Sequence, residues 1–151
     1  MVYLTDHQLN HIAYYFEKLA YRLLECNRCH VRLERVDKPW VDLQCPLCDL
    51  KIEVKCCMQK SNRITLSCGS AEVFRGIVSP HYLLVFQYEP IDDIGNIHII
   101  RGRMFNLCTS TAIHSELFEQ HTKKQYRRRI ALQVNMMSDD SCKIIENDIV
   151  C

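Results

Sequence analysis

Two Cys-x2-Cys pairs, Cys26/Cys29 and Cys45/Cys48, stand fifteen residues apart. Their spacing is that of a tetrathiolate zinc site, in which two tight turns face each other and supply four soft ligands. The second turn contains Pro46, as zinc knuckles often do. For one ion to be shared, the chain between the pairs must go out and come back. The first pair then lies where one strand begins and the second where the next strand ends, which are neighbouring places in an antiparallel meander. This marks a zinc-knuckle element over residues 26–48. The other reading is unliganded thiols, because in a chain with ten cysteines some such pairs arise by chance. A disulfide framework is not expected. The 151 residues, 48% of them hydrophobic, can build a core without one, and no charged-then-apolar signal segment is recognisable at the start.

Outside the knuckle the period of the apolar residues sets the elements. Thr5 and Gln8 have capping-box spacing, and Leu9, Ile12, Phe16, Leu19 and Leu23 follow at steps of three and four. These predict a helix over 6–25. Val31, Leu33 and Val36 alternate as in a strand, and Asp37-Lys38-Pro39 is turn chemistry. Residues 40–43 and 50–55 read as two further strands joined by the Cys-Pro-Leu-Cys turn, and 63–67 as a fourth. Residues 81–87 are apolar without alternation, the mark of a buried central strand. Residues 96–100 predict another strand, 110–126 a helix, and 129–135 an edge strand. No internal repeat or linker interrupts the chain. The expected class is α+β: an N-terminal helix, a three-strand antiparallel meander extended to a mixed sheet, and a helix packed on it.

The hairpin that carries the second cysteine pair also carries charge. In a strand, side chains alternate between faces. Ile52 and Val54 therefore point one way, with Glu53 and Lys55 the other. Val41 and Leu43 likewise face the core, with Asp42 opposite. Pairing of the two strands sets Asp42 across from or diagonal to Glu53. Two adjacent carboxylates repel unless something positive lies between them, and hard oxygen ligands suit Mg2+. A lysine beside such an ion can orient or deprotonate an attacking water. The same residues also satisfy a solvated strand face with an ion pair. Glu17 sits beside the helix's apolar stripe between Ala13 and Ala20, small neighbours that leave a carboxylate room to reach the sheet.

A helix bearing Glu17, then Val41-Asp42-Leu43, then Ile52-Glu53-Val54-Lys55, resembles the PD-(D/E)xK nuclease superfamily. The later strands at 82–86 and 97–100 look like that fold's continuation, so the likeness covers residues 5–101. It implies a single nuclease-like domain over 1–151 that hydrolyses DNA phosphodiester bonds with Mg2+. Asp42 and Glu53 would hold the metal, Lys55 would serve the attacking water, and Glu17 would bind metal or orient a ligand. Val41 stands where the motif's proline is often found, and Cys56 follows the lysine where a small hydroxyl residue is common. Restriction enzymes, junction resolvases and intron-encoded homing endonucleases share this scaffold, and the layout is most similar to the last.

The net charge of +1 neither favours nor excludes a nucleic-acid partner, so local basic groups must carry any such contact. Lys123, Lys124, Arg127, Arg128 and Arg129 form one cluster; Lys60 and Arg63 follow the charged hairpin. They suit phosphate contacts with double-stranded DNA, and the first cluster equally suits a solvated helix end. One active site cuts one strand, so a homodimer or higher homo-oligomer is expected for duplex cleavage. No apolar run is long enough to span a bilayer, and an intracellular protein is expected. The competing function is a non-catalytic zinc-ribbon module that binds nucleic acid or protein.

Overall fold

The computed structural model describes residues 2–38, 41–70, 81–110, 112–121 and 126–150; within strand residues 67–70, 114–121 and 126–131 the backbone alone is described. One helix, α1 (Asp6–Leu23), is followed by nine strands: β1 (Glu34–Lys38), β2 (Val41–Gln44), β3 (Lys51–Cys57), β4 (Arg63–Ser70), β5 (Tyr82–Pro90), β6 (Ile97–Asn106), β7 (Ile113–His121), β8 (Tyr126–Asn135) and β9 (Cys142–Val150). The capping box forms as expected. The Thr5 hydroxyl accepts from the Gln8 backbone N–H at 3.2 Å, and Gln8 Oε1 accepts from the Thr5 N–H at 2.9 Å. Both satisfy helix-end groups that would otherwise lack partners. Among the described residues no helix is long and apolar enough to cross a membrane.

The class is α+β, with a six-stranded mixed sheet in the order β1-β2-β3-β5-β6-β9. The expected antiparallel meander is β1-β2-β3, and β5 joins it parallel to β3, as Ile52↔Tyr82 through Cys57↔Gln87. A parallel neighbour requires a crossover, and β4 lies in it. β5 is buried on both faces, which explains its unbroken apolar run. Leu84, Phe86 and Tyr88 face α1, while Leu83 and Val85 face a second core. In the first core Phe16 stacks on Phe86 with centroids 4.6 Å apart. The second core joins Leu83, Val85 and Phe105 to Ile64, Leu66, Leu132 and Val134 of a separate three-stranded sheet, β4-β8-β7. The molecule thus has three layers: helix, large sheet, small sheet.

The small sheet corrects two expectations. Residues 113–121 form a strand, not part of a helix over 110–126. They pair with β8 from Ile113↔Val134 to His121↔Tyr126. The local helical spacing there was weak, and hairpin pairing with β8, the next strand in the chain, satisfied the backbone instead. β8 itself is the centre of its sheet, not an edge, because β4 covers its other side. The tail, for which the sequence carried no clear signal, supplies β9 at the edge of the large sheet. Trp40 lies outside the described residues.

Gly102 of β6 lies opposite Phe86 of β5. A Cβ there would lie 2.7 Å from Phe86 Cε1 and 2.9 Å from Ile145 Cγ2. Phe86 is fully buried and held against Phe16, so it has nowhere to retreat. Gly102→Ala is therefore expected to cost about 1–3 kcal/mol through overpacking. Urea titration checks this, and an unchanged midpoint would show that β6 can shift to make room.

Candidate metal centres at the β2–β3 hairpin

The hairpin holds two distinct groups of ligand atoms. At its turn, the sulfurs of Cys26, Cys29, Cys45 and Cys48 all lie within 4.8 Å of one another, with Cys26 and Cys48 at 3.6 Å. Around a tetrahedral zinc with Zn–S near 2.3 Å, sulfurs stand about 3.8 Å apart. The separation far exceeds a disulfide bond of about 2 Å, and the thiols are free. The two turns are built alike. Cys26 N–H donates to the Val31 carbonyl at 2.8 Å, and Cys45 N–H to the Leu50 carbonyl at 2.9 Å. Backbone N–H groups then point at sulfur: Cys29 to Cys26 Sγ, and Leu47 and Cys48 to Cys45 Sγ, each at 3.4 Å. Such donors favour thiolate over thiol. Burial raises the Cys45 pKa, but the Cys48 and Leu47 N–H groups and the Cys26 and Cys48 side chains outweigh it and bring the group down to about 7. The Cys48 side chain, burial, and the Cys45 and Cys26 thiols push Cys29 up to about 12. Cys45 is thus poised to ionise while Cys29 and Cys48 resist a second charge, a conflict that a bound cation removes. The cluster can hold a metal such as zinc, with all four positions filled by protein.

Further along the same strands the pairing stops. The ladder joins Gln44 to Lys51 and Leu43 to Ile52, and continuing it would set Asp42 opposite Glu53. Instead the strands fork. Asp42 Oδ2 enters the gap and accepts the Val54 N–H at 2.7 Å. A side-chain oxygen thereby replaces the missing main-chain partner, as a buried N–H requires. The fork opens a cavity of about 220 Å3 lined by Ala13, Phe16 and Glu17 of α1 together with Asp42, Glu53, Val54, Lys55 and Cys56. All four expected site residues, Glu17, Asp42, Glu53 and Lys55, meet there. Glu53 is only 5% exposed, and Lys55 Nζ lies 2.8 Å from its Oε1.

The site carries more negative charge than its lysine offsets. Burial, then the Glu53 carboxylate, lift the Asp42 pKa to about 6 against the opposing pull of the Val54 N–H and Lys55. Burial and then the Asp42 charge raise Glu17, although Arg35 pulls the other way. Three carboxylates converge on one small cavity, two of them reluctant to ionise. A cation between Asp42 and Glu53 would relieve that repulsion, although among the described residues only the cysteine sulfurs bring three or more ligand atoms close enough together to share an ion.

Other expected contacts are dispersed. Lys60 Nζ pairs with Glu89 Oε2 at 2.7 Å. Arg63 begins β4 in the small sheet and lines a different cavity with Thr65, Gln133 and Asn135. Lys123 and Lys124 lie outside the described residues; Arg127, Arg128 and Arg129 belong to β8, where the backbone alone is described. Sequence reasoning missed Arg35, whose Nη2 reaches Glu17 Oε2 at 3.3 Å across eighteen positions of chain. No local signal could have revealed that contact. No protein-family model matches the sequence, and no curated protein shows significant similarity to it.

The raised Asp42 pKa sets a sign for stability. Below about pH 4 the group is protonated in both folded and unfolded chains. Between about 4 and 6 the folded chain holds its proton more tightly, so this favourable contribution fades as pH rises and is gone above about 6. Asp42→Asn keeps an oxygen for the Val54 N–H and removes the charge. Without added magnesium at pH 7.5, the variant is expected to melt several degrees above wild type, with the gap closing toward pH 4. A variant that melts lower at pH 7.5 would show that the carboxylate is not under electrostatic strain.

Proposed function

We propose that the chain is a magnesium-dependent endodeoxyribonuclease of the PD-(D/E)xK kind, of homing or restriction type. What carries the reading is the meeting of Glu17, Asp42, Glu53 and Lys55 in one cavity at a strand fork. Asp42 and Glu53 would hold the cation. Asp42 Oδ2 is committed to the Val54 N–H and Glu53 Oε1 to Lys55, which leaves the other oxygen of each carboxylate for the ion. When bound, a divalent ion stabilises charge on a phosphate oxygen and makes water a better nucleophile at neutral pH. Lys55, held by Glu53, orients that water or takes its proton. Glu17 reaches the same cavity from the helix and binds the ion or orients its ligand. The substrate is double-stranded DNA, and two copies of the chain would be needed to cut both strands.

Nicking of supercoiled plasmid and of a broad pool of DNA sequences in Mg2+ tests this. Lys55→Ala, which melts lower because the buried Glu53 loses its partner but stays folded at the assay temperature, is expected to slow nicking by at least about 100-fold. Asp42→Asn should do the same while abolishing the thermal shift produced by magnesium. If wild type nicks nothing in that pool, the enzyme reading fails.

The convergence of four sulfurs favours a second reading, a zinc-ribbon module that binds nucleic acid or protein without catalysis. The two are compatible in one respect: in both, the cysteine cluster holds a structural zinc with no open position for chemistry. Mass spectrometry of protein purified without chelator is expected to find one zinc per chain. Chelation should lower the melting temperature, and Cys45→Ser should mimic it. A zinc content near zero would remove the metal from both accounts.

A further inference from the structure

Beside the candidate nuclease cavity, two arginines rest on tyrosine rings. The Arg35 guanidinium, which pairs with Glu17, also donates to the Tyr14 hydroxyl at 3.4 Å and lies 4.6 Å from the centre of that ring. Lys18 Nζ lies over the same ring, also at 4.6 Å. Further along the helix the Arg32 guanidinium lies 4.5 Å from the centre of the Tyr21 ring. Tyr14, Lys18 and Tyr21 are spaced i, i+4, i+7, so they form one stripe along α1. Arg32 and Arg35 approach that stripe from the segment that enters β1. Lys18, Arg32 and Arg35 are all exposed, and Tyr14 is 49% exposed.

These five side chains have the chemistry of a phosphate-binding surface. A guanidinium laid on an aromatic face is held in plane, so less rotamer freedom is lost when its N–H fork meets a phosphate. The two stacks are seven residues apart on the helix, about 10 Å. Over that length one strand of a duplex advances by about three phosphates. The stripe begins beside Glu17, one wall of the cavity, and runs toward the Cys26–Cys29 turn. Nearby acids are Glu25, whose backbone bridges to that of Arg32, and Glu34 at the start of β1.

We propose that Lys18, Arg32 and Arg35, with the two arginines propped on Tyr14 and Tyr21, form a track for the phosphate backbone of duplex DNA that leads to the Glu17–Asp42–Glu53–Lys55 cavity. The proposal rests on the nuclease reading for its choice of ligand, but binding and cutting are separable. The track accounts for affinity without base readout, because contacts to phosphate position the duplex and carry no sequence information.

The test measures binding of a mixed-sequence DNA duplex by fluorescence anisotropy across a range of salt, in the Lys55→Ala background so that nothing is cut. Adding Lys18→Gln, Arg32→Gln and Arg35→Gln is expected to weaken binding at least about ten-fold. It should also flatten the plot of log affinity against log salt, by about 0.9 for each phosphate that the variant no longer neutralises. Lys18→Gln with Arg32→Gln leaves the Glu17 partner in place. Weaker binding by that double variant therefore does not come from a displaced Glu17, and it carries the test if the triple variant melts early. Unchanged affinity and salt slope in the folded variants would overturn the track whether or not the parent protein nicks DNA. A flattened slope supports it, even if wild type fails to nick and the nuclease reading falls.

Discussion

Only two residue pairs join β2 to β3 before the strands part, and the position of the candidate catalytic groups depends on where that pairing ends. Asp42 occupies the fork and accepts the Val54 N–H, a single charged hydrogen bond that replaces the next rung of the ladder. The bond fixes one carboxylate oxygen and turns the side chain toward Glu53. It also leaves an opening through which Glu17 of the helix reaches groups on the strands. A continuous ladder would have closed that opening.

So short a ladder needs bracing, and the chain supplies it on two sides. At the turn, the knuckle joins Cys45 and Cys48 to Cys26 and Cys29, which follow α1 directly, so the hairpin and the helix end share one anchor. Along its flank, β3 is zipped to β5 over six consecutive residue pairs, and β5 is buried on both faces. Sulfur and carboxylate groups therefore divide the work by hardness. The soft, closed cluster suits a structural role, whereas the harder oxygen site keeps a cavity and a lysine beside it. Burial and a crowded like neighbour act together in each group: burial and then Glu53 lift Asp42, and the Cys48 side chain and then burial lift Cys29.

The stripe of tyrosines and cations on α1 extends this plan outward. On the side that faces away from Phe16 and Ala20, Lys18 and Arg35 both lie against the Tyr14 ring and Arg35 pairs with Glu17, so the helix contributes core packing on one side and meets cationic side chains on the other. The small sheet on the opposite face of the molecule covers Leu83, Val85 and Phe105, and none of its described side chains belongs to either ligand cluster. It makes the central strand a buried one, which lends rigidity to the β3 residues paired with it.

Much of this was legible in the residues alone. The capping box and the steps of three and four fixed α1, and strict alternation placed Asp42, Glu53 and Lys55 on a charged side of their strands. Cys-x2-Cys spacing brought four thiols together, and these are consequences of local geometry, with periods of 3.6 and 2 and a tight turn. The central place of β8 and the edge strand β9 were not legible, because β4 and β6, which pair with them, lie far away in sequence, and the strand at 113–121, although its partner β8 follows at once, carries only a weak local signal. Nor could spacing foretell that the β2–β3 ladder would break at Asp42, that Arg35 would reach Glu17, or that its neighbour Arg32 would settle on Tyr21. Sequence by itself determined which side chains were available and which way each element would present them. Tertiary structure alone decided which of them meet, because burial, strand exchange and charge pairing act between residues that only folding brings together.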